Sequence, residues 1–339
     1  FMSWNKPFLD YNKQINKLKH EYGLLIFNHN FEKTLLESIS YYDLINGYND
    51  CFMTNGKFKE EISLFSLFYF KIFDMNFQNI LFKYSVYAEN SFKTKLAYIL
   101  SEEYGEDHNN YLDRKNFQVN KRKRKEVRKF NETFNNIEQV ILHSNDHPTK
   151  HYCTYHNHIP AWRLFKNVKF NDCINLFRFL KRDLKLKLIR RFFNSNSFSD
   201  NAHIRLFKNF ISIIRKFRNK IAHNSKVITY TVDSRYELHQ VNTLRLNPYS
   251  LMRPGDIRKS IGKNDVYAMI LSLTIILDNP LLVQMMMNEI KTLLLISHEH
   301  PDINVVKEFL HITRLPEDLV DRINNIDFSS ILDSHLQKW

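Results

Sequence analysis

A mainly α-helical fold is predicted by three features of this sequence. Glycine and proline, which punctuate chains into turns, number only 6 and 8 in 339 residues. Apolar residues recur at helical steps, most clearly at Phe210, Ile214, Phe217 and Ile221, one stripe on a 3.6-residue helix. Apolar residues make up 43% of the chain and aromatic ones 14%, enough to fill the core of one elaborated domain or two.

Taken in order, residues 2–35 read as an amphipathic lead-in carrying Leu18, Leu24, Leu25 and Phe31. Phe1 ahead of Met2 reads as an added residue. Helices are predicted near 32–46, 60–72, 76–103, 122–143, 171–193 and 200–223 from their apolar periodicity. From about 226 to 260 the pattern turns alternating and turn-rich. Thr229-Tyr230-Thr231-Val232 is expected as a strand, and Arg253-Pro254-Gly255-Asp256 as a turn. Helix returns over 264–297, N-capped by Asp265 and interrupted at Asn279-Pro280. One or two more helices follow Pro301 and Pro316.

The most informative segment is Arg218-Asn219-Lys220-Ile221-Ala222-His223, which closes the 200–223 helix. At about 100° per residue, Asn219 and His223 share a face roughly opposite the Phe/Ile stripe. His223 is therefore not expected in the core of its own subunit. Arg218 stands roughly 140° away, so it must reach across with its long stem or gain from an unwound last turn. Such a trio suits cleavage of an RNA phosphodiester by its own 2′-hydroxyl. A histidine exchanges protons near neutrality, and an arginine holds the phosphate and offsets its developing charge. The same residues also suit a solvated helix end, with cations facing the C-terminal dipole.

Further segments bear on that choice. Leu36-Glu37-Ser38-Ile39-Ser40-Tyr41-Tyr42-Asp43-Leu44-Ile45-Asn46-Gly47-Tyr48, then Tyr87-Ala88-Glu89-Asn90-Ser91-Phe92-Lys93-Thr94-Lys95-Leu96-Ala97-Tyr98, then Ile159-Pro160-Ala161-Trp162 with the helix start at Asn171-Asp172 precede the Arg-Asn-x-x-x-His segment. In this order they resemble the bacterial abortive-infection family with an Abi-type HEPN ribonuclease domain, over roughly residues 30–225. The resemblance implies an elaborated HEPN-type helical bundle over 2–230. Residues 231–339 then form a turn-rich segment and a C-terminal helical region. It further implies a homodimer whose paired Arg-Asn-x-x-x-His helices build one ribonuclease site, with Arg218, Asn219 and His223 catalytic and Glu89 and Lys93 supporting. Read without the resemblance, Glu89 and Lys93 are an ordinary i,i+4 salt bridge on an exposed face.

A formal charge of +13 and a pI near 9.4 favour an anionic partner, RNA first. An A/T-rich genome also enriches Lys, Asn, Ile, Phe and Tyr. The cations cluster at Lys121, Arg122, Lys123, Arg124 and Lys125, and again at Arg178, Arg182, Arg190 and Arg191. Phosphate contact is expected of both groups, although the first also reads as a solvated face. No DNA partner is expected. A structured noncoding RNA that restrains the protein as an antitoxin is expected by analogy with the family and with the HEPN nucleases of RNA-guided CRISPR effectors.

Cys51, Cys153 and Cys173 are widely spaced, which disfavours a disulfide framework. The stretch with His143, His147, His151, Cys153, His156 and His158 invites a zinc assignment, but no second ligand pair accompanies it. A polar loop near the cleft, with His151 or His158 touching RNA, is the preferred reading, and neither metal nor cofactor is expected. The longest apolar run, Val266 to Leu277, is short of the roughly 20 residues that span a bilayer. No signal peptide is visible, so a cytoplasmic location away from membranes is expected. No Gly-rich phosphate loop is present, which argues against an ATPase. The leading function is a toxin with endoribonuclease activity; a non-catalytic RNA-binding module and a protein scaffold are the rivals.

Overall fold

The computed structural model describes residues 8–193, 197–247, 249–296 and 303–336; Phe1, Met2 and Pro301 lie outside them. In chain order the helices are α1 Tyr11–His20, α2 His29–Ser38, α3 Asn49–Phe52, α4 Leu64–Tyr104, α5 His108–Tyr111, α6 Arg124–His143, α7 Thr149–Tyr155, α8 Ala161–Asn167 and α9 Phe170–Phe179. They continue with α10 Arg182–Ile189, α11 Asp200–Ala222, α12 Gln240–Leu246, α13 Pro254–Arg258, α14 Val266–Ile276, α15 Pro280–Leu295, α16 Val305–Thr313, α17 Leu319–Asn324 and α18 Phe328–Leu336. Two short strands, β1 Met53–Thr54 and β2 Lys57–Phe58, pair antiparallel. The fold is mainly α, as its sparse glycine and proline predict.

The centre is built from α4, α11 and α14, which pack on one another. All of α14 is buried, as an all-round apolar helix must be. Its start is fixed by Asp265, whose carboxylate accepts from the Ala268 N–H at 2.9 Å, the N-cap expected. Pro280 opens α15, where Asn279 accepts from Leu281 at 3.0 Å. Ser199 caps α11 in the same way, and Ser63 and Ser66 form a reciprocal capping box at the start of α4.

Several expected boundaries move. The helices predicted at 60–72 and 76–103 are one 41-residue helix, α4. Asp74 does not break it, because its buried carboxylate accepts the Tyr48 hydroxyl at 2.7 Å. The predicted 171–193 helix divides at Leu180, where Gln118 N–H donates to the Phe179 carbonyl at 2.7 Å and Phe117 bridges Leu180. The strand at 229–232 does not form. Tyr230 N–H closes a turn on Val227, and Val232 N–H goes to the Asn264 carbonyl, so no neighbouring strand meets it. Pro254 opens the short helix α13. The small sheet lies instead at 53–58, joined by Asn55 and Gly56, both at positive φ, the Asn-Gly turn of a two-residue hairpin. No described helix is long and apolar enough to cross a membrane.

Candidate functional site

The end of α11 is shaped by its last six residues. Asn224 takes a left-handed φ of 49°, Ser225 N–H returns to the Lys220 carbonyl at 2.9 Å, and Asn224 N–H to Ile221 at 2.8 Å. That pair of bonds is a Schellman stop with asparagine in the usual glycine position. The helix therefore ends at His223, as the sequence after it suggests. His223 is exposed, and among the described residues its imidazole has no hydrogen-bond partner. Asn219 is half-buried, and its Oδ1 accepts from Arg218 Nη1 at 3.3 Å.

Arg218 turns the other way, towards α4. Its Nη2 lies 3.5 Å from Glu89 Oε2, and its guanidinium sits over the Phe82 ring at 5.7 Å. Glu89 in turn holds Lys93 at 2.7 Å. Glu89 and Lys93 are only 8% and 9% exposed, so this is not a solvated surface pair. The three side chains carry one excess positive charge, and the Arg218 Nε is buried without a hydrogen-bond partner. An excess cation at the edge of a dry cluster favours an approaching anion. The Cys173 thiol beside it is pushed up to about 12, first by burial, and stays protonated. Arg218, Asn219, Glu89 and Lys93 thus form one connected group, and among the described residues no hydrogen bond or ion pair joins the His223 side chain to it.

The segment that begins at Leu36 supports this end of the molecule. After α2, residues Tyr42–Asn46 make a turn of π-helix. Gly47 follows, where an added Cβ would lie 2.2 Å from the Asp43 carbonyl oxygen. Tyr48 then plugs into α4 through Asp74. Two residues on, Asp50 binds Lys226 at 2.5 Å, tying the loop after His223 to this segment.

Sequence comparison fits this geometry. A family model of Abi-like proteins matches residues 34–229, more than half of the chain. The chain belongs to this family of bacterial abortive-infection proteins. No curated protein and no solved structure matches it. The family match takes in α4 and α11 whole, together with the π turn, Gly47 and Lys226. In this Abi-like protein α14 lies beyond the match, yet it packs against both α4 and α11.

The cations singled out in the Abi-like chain fall into different surroundings. Lys121, Arg122, Lys123, Arg124 and Lys125 are exposed at the start of α6, where the helix dipole repels cations. Arg190 is exposed. Arg182 is occupied by Asp200 and Asn201, and Arg191 by Glu102 and the Tyr98 ring. Arg178, exposed in the last turn of α9, lies within electrostatic reach of Lys185, Lys208 and Arg215. Lys185 belongs to the same basic stretch as Arg178, Arg182, Arg190 and Arg191; sequence reasoning missed Lys208 and Arg215. Nothing in the local pattern marks them, since three separate helices bring the group together.

The His/Cys stretch folds into α7 and its flanks. The His151 ring lies tilted against Tyr155 at 5.0 Å and Tyr152 against His156 at 4.5 Å, while His158 Nδ1 pairs with Asn157 at 2.9 Å. Cys153 Sγ is directed to the Ile141 carbonyl at 3.1 Å. Among the described residues no three His, Cys, Asp or Glu side chains are placed to hold a metal ion.

Proposed function

We propose that this chain is an endoribonuclease of the HEPN type, independent of metal ions, that acts as a toxin in abortive-infection defence. One observation carries the reading. Arg218 and Asn219 are bonded to each other one turn before an exposed His223, and Glu89 of α4 holds the guanidinium from behind.

The chemistry follows from those groups. The ribose 2′-oxygen attacks the neighbouring phosphorus, the bond from phosphorus to the 5′-oxygen breaks, and the products are a 2′,3′-cyclic phosphate and a 5′-hydroxyl. A neutral imidazole takes the 2′-proton, and an imidazolium returns a proton to the 5′-oxygen. Arg218 stabilises the charge gathering on the phosphoryl oxygens, and Asn219 positions the guanidinium. Attacking and leaving oxygens lie on opposite sides of phosphorus, so one imidazole cannot serve both at once. A homodimer supplies the second His223 from a partner subunit. DNA, lacking the 2′-hydroxyl, is not a substrate. Restraint of the toxin is assigned to a structured noncoding RNA, and its site of action to the cytoplasm.

The engagement of Arg218 by Glu89, with no contact to His223 among the described residues, favours a second reading, a non-catalytic module that holds a regulatory or phage RNA. End chemistry separates the two. Total RNA incubated with the protein in EDTA is expected to yield fragments with cyclic-phosphate and 5′-hydroxyl ends. Intact RNA, or fragments with 5′-phosphates, would reject the ribonuclease proposed.

A further inference from the structure

Several charged side chains at the surface of this protein have found a partner. Lys83 binds Glu289, Lys95 binds Asp278, Lys187 binds Glu102 and Arg114 binds Glu138. A group of cations around Arg178 has none: Arg178 on α9, Lys185 on α10, and Arg205, Lys208 and Arg215 on α11 have no ion pair with a carboxylate among the described residues, although they act on one another. Lys185, Lys208 and Arg215 are also half-buried. Burial first, then the neighbouring Arg178 and Arg205, lowers the Lys208 ammonium from its ordinary value. Burial likewise lowers Lys185, where Glu126 opposes and Arg178 reinforces the effect. Like charges crowded in this way repel one another, and an anion laid across them would offset that repulsion.

The placement of the cluster says which anion. On α11, Lys208, Arg215 and Asn219 follow at steps of seven and four, one stripe that leads over roughly 22 Å to His223. Between Lys208 and His223, Lys216 and Lys220 cover the rings of Tyr236 and Tyr230 at 4.8 and 5.1 Å. At the far end, Asn201, Arg205, Asn209, His239 and Asn242 line a cavity of about 260 Å³. Glu126, which acts on Lys185, follows directly on the exposed run Lys121–Lys125 at the start of α6. A row of cations interleaved with aromatic rings suits a flexible polyanion with stacking bases better than a lone phosphate.

We infer that the exposed end of α11 at His223 continues as a track for single-stranded RNA, in which Arg215, Lys208, Arg178 and Lys185 bind successive phosphates and lead the strand towards the basic start of α6. The inference rests on the ribonuclease reading for the direction of the strand, and it adds residues outside the Arg-Asn-x-x-x-His segment as determinants of affinity. Phosphate contacts fix the register of the strand without reading its bases. The track therefore sets how long an RNA must be for tight binding, not which sequence is cut.

The test is a salt titration of binding, by fluorescence anisotropy, with 2′-O-methyl oligoribonucleotides that cannot be cleaved. Arg178→Gln/Lys208→Gln is compared with wild type and with the charge-matched Lys13→Gln/Lys33→Gln. Arg178→Glu and Arg205→Glu serve as single changes at exposed positions that spare the core. For wild type, affinity should fall steeply with salt, and a dodecamer should bind far better than a trimer. The double variant should flatten the slope of log K against log salt by about 1.4, or about 0.7 for each phosphate lost, and should lose most of the advantage of the dodecamer. The charge-matched control should keep both. Unchanged slope and length dependence in the track variants, with wild type binding and cleaving RNA, would overturn the track and leave the ribonuclease standing. A flattened slope without any cleavage of unmodified RNA by wild type would support the track and remove the ribonuclease. No RNA binding by wild type would overturn both.

Discussion

Arg218 on α11 and Glu89 on α4 meet at 3.5 Å, and through this contact the Arg-Asn-x-x-x-His helix is anchored to the longest helix of the fold. Glu89 also neutralises Lys93. Glu89→Gln leaves a buried ammonium without its counter-ion, a change expected to cost about 3–5 kcal/mol. The displaced Arg218 should lower cleavage by about 10²-fold. His223→Ala, at an exposed position, should change stability by less than about 0.5 kcal/mol while abolishing cleavage. Thermal melts and single-turnover rates on the same preparations check both halves.

Asp74 is fully buried, and its pKa is raised, chiefly by burial. A carboxyl raised in the folded state binds more protons there than in the unfolded chain. Its contribution is therefore fully present below the unfolded Asp value near 3.9 and is lost as pH rises through the folded value. Asp74→Asn keeps an acceptor for the Tyr48 hydroxyl and removes the titration. The melting temperature of the variant should match or exceed that of wild type at neutral pH, and the difference should shrink on acidification. A difference that grows as pH falls would contradict the raised value.

The thiols differ in reach. Burial pushes both Cys51 and Cys173 up to about 12, and Cys173 is fully enclosed. Cys153 is exposed. A maleimide or iodoacetamide at neutral pH should label Cys153 first, with Cys173 protected until the chain unfolds. Peptide mapping of the labelled, folded protein checks the order.

Gly47 is required by contact more than by dihedral freedom, since a Cβ there would lie 2.2 Å from the Asp43 carbonyl. Gly47→Ala should destabilise by about 1–3 kcal/mol, and it should do so by opening the π turn that leads to Tyr48 and Asp50. Denaturant titration gives the magnitude. Loss of protection at the amides of 42–50 in hydrogen exchange gives the location.

Long periodic stretches were legible in the sequence. The Phe210-to-Ile221 stripe, the Asp265 cap and the Asn279-Pro280 break all stand where their patterns place them, because each is decided within a few residues. What failed was decided at a distance. The helices expected at 60–72 and 76–103 are one, because Asp74 between them is buried as the partner of Tyr48. Thr229–Val232 alternates like a strand, yet among the described residues no second strand lies beside it. The Asn55-Gly56 hairpin carried a local signal that was passed over. In the candidate site, the shared face of Asn219 and His223 follows from helical angles alone. The hold of Glu89 on Arg218 does not, since it depends on how α4 and α11 cross. The cations around Arg178 gather for the same reason from three helices.

The central claim is that His223 carries out proton transfer on a bound RNA. The direct measurement follows cleavage of a labelled RNA by wild type and His223→Ala in EDTA, with affinity measured on the same RNA. The account predicts equal affinity, with cyclic-phosphate fragments from wild type and none from the variant. Equal cleavage by both proteins, or tight binding with no cleavage by either, would contradict it.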